Sequence, residues 1–288
     1  MEVAGCTIAY RAWGEPGSGV VLVHGGAAHS RWWDHIAPWL ATEYRVVALD
    51  LSGHGDSGRR SAYDNAVWAR EALAAAAAGG ISGRPVVIGH SMGGGVAIMA
   101  GGLRGRPAGG VIVIDSAIRR PDPEDDAAQR LEAFGPLRQY PSKETAIAHF
   151  RTVPEQPSAL AYVLAHIAAA SVTATERGWT WKFDPAIFDR PRASADDLKR
   201  VSTRVALLRA EHGLMTSDIG SYMYELLGRS APVIEVPLAG HHVMLDQPIS
   251  LVVALRSVLA DWRHSSPQRR AVSSPPRGRG AMASGDDA

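Results

Sequence analysis

The pentapeptide Gly89-His90-Ser91-Met92-Gly93 lies between an apolar run, Val86-Val87-Ile88, and a run of small residues, Gly94-Gly95-Val96-Ala97. The first run reads as a buried strand and the second as a helix whose small side chains let it pack closely. A G-x-S-x-G between such elements forms a sharp strand-to-helix turn that lifts the serine hydroxyl clear of the sheet. The serine in such a turn has a strained backbone, and a Cβ at either flanking position would crowd it. The same turn aims the Met92 amide at the place where an oxyanion would form.

Strand-like and helix-like segments alternate around this turn, as a mostly parallel sheet covered on both faces requires. Val20-Val21-Leu22-Val23 reads as a strand running into the glycine turn His24-Gly25-Gly26-Ala27, and Arg45 to Asp50 as the next strand. Val111-Ile112-Val113-Ile114, Val205-Ala206-Leu207-Leu208 and Val233-Ile234-Glu235-Val236-Pro237 read as further strands. The segment Trp32 to Leu40 and the segment Asn65 to Ala78 read as helices. A last helix follows Pro248, with Val252, Leu255, Leu259 and Trp262 on one face. Between Asp115 and Val201 the alternation stops, and Pro121, Pro123, Pro136, Pro141, Pro154 and Pro157 break up a helical and loop-like stretch. The organisation expected is a core of residues 1–116 and 201–263, an insertion over 117–200, and a disordered Ser/Pro/Arg/Gly tail over 264–288. With 288 residues and 46% hydrophobic side chains, the chain can bury a full core.

A general base for Ser91 is available in Ala239-Gly240-His241-His242, on the loop after the last strand-like run. An imidazole titrates near neutrality and can both take and return a proton, which nominates His241. The His24-Gly25 turn, Asp50-Leu51-Ser52-Gly53-His54-Gly55-Asp56-Ser57, the serine turn, and Gly240-His241 before Asp246-Gln247-Pro248 occur in one order. Together they closely resemble the α/β-hydrolase fold superfamily, from Val3 to about Trp262. The resemblance implies a mostly parallel central sheet flanked by helices, with a helical cap insertion. It makes Ser91 the nucleophile, His241 the base, and the amides of Met92 and Gly26 the oxyanion donors. His24 is expected to brace its turn.

One departure bears on the third member of the triad. The usual acid stands in a Gly-x-x-Asp turn after the strand at Val205, but this chain reads Ala210-Glu211-His212-Gly213, with Gly213 at the aspartate's place. Some members of the superfamily, among them haloalkane dehalogenases and certain lactone hydrolases, carry the acid at the end of the preceding core strand. Here that position is Asp115, and Glu211 is its competitor. A dehalogenase is disfavoured, since its nucleophile would be a carboxylate.

The implied activity is hydrolysis of a carboxylic ester or lactone through an acyl-enzyme, on a small apolar substrate and without a cofactor. Cleavage of a carbon–carbon bond in a diketone is the alternative chemistry. The altered acid position also keeps a ligand-binding or cyclisation-steering protein in view. Trp33, Met92 and Met244 lie nearest the motifs and are candidate pocket contacts, whereas Trp179, Trp181 and Phe183 are expected mainly to pack the insertion.

Other classes find little support. A net charge of +1 gives no electrostatic reason for binding nucleic acid or an acidic membrane. The N-terminus lacks a basic stretch followed by an apolar one, and Ala74 to Ala78 is too short to span a bilayer, so a cytoplasmic location is expected. Cys6 has no disulfide partner within the chain, and the oligomeric state stays open. No His or Cys spacing matches a zinc site, no phosphate-binding loop is present, and His149 and His166 read as packing or surface residues. Gly53 to Gly58 fits G-x-G-x-x-G, but no helix opens within its glycines, so the segment reads as a structural turn.

Overall fold

A computed structural model describes residues 1–105, 107–119 and 137–265. The expectations attached to Pro121, Pro123, Pro136 and most of the tail lie outside the described residues. Strands β1 (Glu2–Val3), β2 (Cys6–Thr7), β3 (Tyr10–Trp13) and β4 (Gly19–Val23) open the chain; β1 and β2 form a separate antiparallel pair. Helix α1 (Ala37–Leu40), strand β5 (Arg45–Leu49), helix α2 (Asn65–Ala78), strand β6 (Val86–His90), helix α3 (Met92–Gly102) and strand β7 (Gly110–Ile114) continue the core. The insertion holds helices α4 (Lys143–Ala148) and α5 (Ala161–Ala170), strands β8 (Val172–Thr175) and β9 (Gly178–Trp181), and helix α6 (Ala195–Lys199). Strand β10 (Arg204–His212), helix α7 (Ser217–Leu226), strand β11 (Val233–Gly240), helix α8 (Val243–Asp246) and helix α9 (Pro248–His264) close the core.

Seven strands make the main sheet in the order β11-β10-β7-β6-β4-β5-β3, parallel except for β3 at the edge. Successive residues of the inner strands serve opposite faces, and both faces are buried. Val21 and Val23 join one core cluster with α2 and α3, while Val20 and Leu22 join another with α1 and α9. That two-sided burial explains why these strands read as unbroken apolar runs.

The chain leaves β4 toward β5 on one side and returns to β6 on the other, so a crevice opens at the carboxyl ends of β4 and β6. Register brings the strand ends level there: Val23 pairs with Gly89, His90 with Ile114, Ile114 with Leu208, and His212 with Gly240. The residues that follow each end therefore meet above one point of the sheet.

Two elements differ from the sequence expectation. The segment Trp32 to Leu40 is a 3-10 turn at Ser30–Trp33 followed by the short helix α1, not one helix. Pro38 within α1 offers no amide to the preceding turn, which separates the two. The insertion also contains the antiparallel hairpin β8-β9, so its described part is mixed rather than helical. Trp179 and Trp181 of that hairpin pack with Tyr140, Ala146, Ile147 and Val172 in a small core of the insertion itself. Among the described residues no helix is long and apolar enough to cross a membrane.

Candidate active site

Ser91 follows β6 with φ 53° and ψ −121°, a conformation an L-residue holds only where its surroundings force it. The surroundings are close backbone on every side. A Cβ at Gly89 would overlap the Gly93 carbonyl, and one at Gly93 would lie 2.5 Å from the carbonyl oxygens of Val23 and His24. The Ser91 amide donates to Ile114 O at 2.9 Å, tying the turn to β7.

His241, directly after β11, accepts at Nε2 from Ser91 Oγ at 3.0 Å and donates from Nδ1 to Asp115 Oδ2 at 2.7 Å. Asp115 leaves β7 with φ 42°, which turns its carboxylate toward the His241 loop. Its Oδ2 also accepts from the Leu214 amide at 2.7 Å, and its Oδ1 from the amides of Ala210 and Met215 at 3.1 and 3.2 Å. Burial opposes ionisation of this group, but the His241 hydrogen bond and charge and the backbone amides outweigh it and hold the carboxyl below its ordinary range.

The altered acid position has a steric explanation. A Cβ at Gly213 would overlap the Asp115 carboxylate, so a side chain at 213 and a carboxylate reaching from 115 exclude one another. Glu211, the competing acid, points elsewhere: its exposed carboxylate accepts the Leu238 amide at 2.7 Å. The structure therefore brings Asp115 and not Glu211 to the imidazole.

Gly26 and Met92 both line the cavity beside Ser91. Met92 is the first residue of α3, where helix geometry leaves an amide without an intrahelical acceptor. His24 Nδ1 bonds the Gly25 carbonyl at 2.7 Å while its Nε2 accepts the Leu51 amide at 3.1 Å, so it braces the turn from beneath. Buried Asp50 does similar work, accepting the amides of Ser30 at 2.6 Å and Asp56 at 2.8 Å. The glycines of the 53–58 stretch are spent on this turn: the Gly53 amide donates to Gly58 O, and the Gly58 amide to Thr7 O.

The cavity above Ser91 has a volume of about 400 Å³. Trp32, Met92, Ile118, Phe188 and Leu214 supply apolar wall, and Arg119, Arg190 and Arg192, which the sequence reading did not anticipate, also line it. Two proposed contacts fail. Both tryptophans join the core cluster on the α1 and α9 face of the sheet, but Trp33 is fully buried there while its neighbour Trp32 also lines the cavity. Met244 is likewise packed among core residues of α8 and α9. His149 bonds its own helix at Thr145 O, and His166 pairs with Asp34, so neither approaches the cavity.

Sequence reasoning missed three residues around His241. His90 donates from Nε2 to His241 O at 2.9 Å, and burial followed by the nearby His241 lowers its pKa to about 3. His242 packs its ring on Trp32, with centroids 5.3 Å apart, and burial together with His241 and His90 holds its pKa well below the ordinary value. Gln156, from the insertion, accepts the His242 amide at 2.8 Å and donates to His242 O at 3.2 Å, clamping the histidine loop. The adjacent histidines and the x of G-x-S-x-G were visible signals for two of them; Gln156 had none.

Comparison with known proteins agrees with this fold. Residues 20–255 match the model of the alpha/beta hydrolase family, and the chain belongs to that family. Esterase Rv0045c of Mycobacterium tuberculosis is 27% identical over 265 residues, covering 89% of this chain and 87% of the esterase. Two solved structures share the fold. E-2-(acetamidomethylene)succinate hydrolase superposes with a TM-score of 0.76 at 20% identity, over 89% of this chain and 96% of its own. The thioesterase domain from the curacin biosynthetic pathway does so with a TM-score of 0.72 at 20% identity, over 89% and 97%.

Proposed function

We propose that this chain is a serine hydrolase that cleaves a carboxylic ester or lactone through an acyl-enzyme. The observation that carries the proposal is the unbroken chain of contacts from Ser91 to His241 to Asp115, 3.0 and 2.7 Å, opening on the cavity. As Ser91 Oγ attacks the substrate carbonyl, His241 Nε2 takes its proton, and Asp115 fixes the tautomer and stabilises the imidazolium. The amides of Met92 and Gly26 hold the oxyanion, and collapse returns the proton from His241 to the leaving alcohol. Water, deprotonated by the same imidazole, then releases the acid and regenerates Ser91.

The mixed apolar wall favours an acyl group of modest size. Stopped-flow hydrolysis of p-nitrophenyl esters from acetate to decanoate tests the reading. The expected result is a burst of nitrophenol equal to the enzyme concentration, absent in Ser91→Ala. Tight binding of these esters without turnover would instead favour a ligand-binding protein and overturn the proposal.

A further inference from the structure

The imidazole of His241 touches Ser91 and Asp115, but its direction is set by the backbone that carries it. The peptide joining His241 to His242 is pinned from both sides by buried side chains. Its carbonyl, that of His241, accepts from His90 Nε2 at 2.9 Å, and its N–H, that of His242, donates to Gln156 Oε1 at 2.8 Å. A peptide is planar, so two opposed hydrogen bonds fix its rotation and with it the direction in which His241 projects. His90 ends β6 beside the nucleophile, whereas Gln156 belongs to the insertion.

Gln156 uses both ends of its amide on one residue, since Nε2 also donates to His242 O at 3.2 Å. It is 8% exposed, and it is not among the described residues that line the cavity, although Val153 and Pro154 of the same segment are. A Cβ at Gly240 would lie 2.7 Å from Gln156 Cδ and Oε1, so a side chain on the residue before His241 would displace the clamp. Two more bonds tie this stretch of the insertion to the core. Ser158 Oγ donates to Asp246 Oδ2 at 3.1 Å, and the Leu160 amide donates to Leu245 O at 2.7 Å. Neither is made to the 241–242 peptide.

We propose that Gln156 is a positioning residue: through the His241–His242 peptide it holds the imidazole in line between Ser91 and Asp115, so the insertion completes the catalytic centre. The inference rests on the reading of His241 as the general base. Loss of the clamp removes the acceptor of a buried amide and lets the peptide turn. Misplacement of a catalytic group by about 1 Å through a change away from the chemistry costs on the order of 100-fold in rate. Gln156 does not meet the substrate, so the loss falls on the chemical step and not on ester binding.

Three variants of the full chain test this. Gln156→Met keeps the length of the side chain and loses both hydrogen bonds. Gln156→Glu keeps an acceptor for the His242 amide and loses the donor, and Ser158→Ala removes a tether of the insertion away from the peptide. Single-turnover acylation by p-nitrophenyl butyrate gives each a limiting rate and a half-saturating concentration. Proton NMR reads the deshielded Nδ1 proton between His241 and Asp115. For Gln156→Met the limiting rate should fall about 10- to 100-fold, with the half-saturating concentration within about twofold and the Nδ1 resonance shifted or broadened. Gln156→Glu should fall between Gln156→Met and the native chain, and Ser158→Ala should stay within about twofold of native with an unchanged resonance. A merely structural Gln156 would lower the urea midpoint and leave the rate and the resonance native. That result in folded Gln156→Met, a change in the half-saturating concentration alone, or an equal slowing by Ser158→Ala would overturn the proposal. Should Gln156→Met not fold, Gln156→Glu decides: a limiting rate at least about threefold lower is expected, and a native rate would contradict it. A native chain that is never acylated would strike the hydrolase reading instead, with the Nδ1 resonance still reporting whether Gln156 holds the imidazole.

Discussion

Replacing Asp115 by Asn changes one atom and forces a choice among the hydrogen bonds of a buried site. The carboxylate accepts four: His241 Nδ1 and the Leu214 amide at Oδ2, and the Ala210 and Met215 amides at Oδ1. An amide nitrogen placed at Oδ1 would face two backbone donors and leave both unsatisfied, at about 1–3 kcal/mol each. Placed at Oδ2 it faces one backbone donor, and it donates to His241 Nδ1. The second arrangement costs less, but it drives the imidazole proton to Nε2, where it can no longer accept from Ser91. Acylation should therefore slow by roughly 10³- to 10⁴-fold, or about 4–5.5 kcal/mol of barrier, while global stability falls by about 1–3 kcal/mol. Glu211→Gln touches only an exposed contact with the Leu238 amide and should leave acylation within about twofold. Single-turnover acylation by a p-nitrophenyl ester measures both. A fall within tenfold for Asp115→Asn, or a larger fall for Glu211→Gln, would refute the assignment of the acid.

Gly213→Ala places a methyl group where the Asp115 carboxylate sits, and should cut kcat by about 100-fold through misplacement of His241 in a protein that still folds, as read by steady-state kinetics beside circular dichroism. Arg60→Met leaves the fully buried Glu71 carboxylate without the guanidinium 2.8 Å away, and should lower stability by about 3–5 kcal/mol in urea unfolding. Stability should also fall in acid. His90 titrates near 3 in the fold against an ordinary 6.5, so the unfolded chain takes up a proton first; its contribution is full above 6.5 and declines down to about 3. The depressed Asp115 carboxyl acts in the same direction below the ordinary carboxylate range, so the urea midpoint should drop from pH 7.5 to pH 5 and further by pH 4.

Much of the site was legible because it sits where chain-local signals are strong. Gly89 and Gly93 mark the serine turn, the apolar runs mark strands buried on both faces, and Gly240-His241 follows the last of them. Asp115 could be nominated because Gly213 vacates the usual place, although choosing it over Glu211 required knowing that the 213 side chain and the 115 carboxylate compete for one space. The cavity wall was less legible. Which of Trp32 and Trp33 faces the cavity depends on the pitch of a four-residue 3-10 turn, and Phe188 and the three arginines arrive through the fold of the insertion. The hairpin there did carry a signal. Val172-Thr173-Ala174-Thr175 and Gly178-Trp179-Thr180-Trp181 are rich in β-branched and aromatic residues about a two-residue turn. The run of proline breaks that precedes it masked it.

The central claim is that Ser91 is activated by His241, and intact mass after incubation with a reactive phosphonate tests it most directly. The account predicts a single adduct on the native chain, carried by the peptide containing Ser91 and absent from Ser91→Ala. A folded native chain that takes no adduct, or one that Ser91→Ala takes equally well, would contradict it.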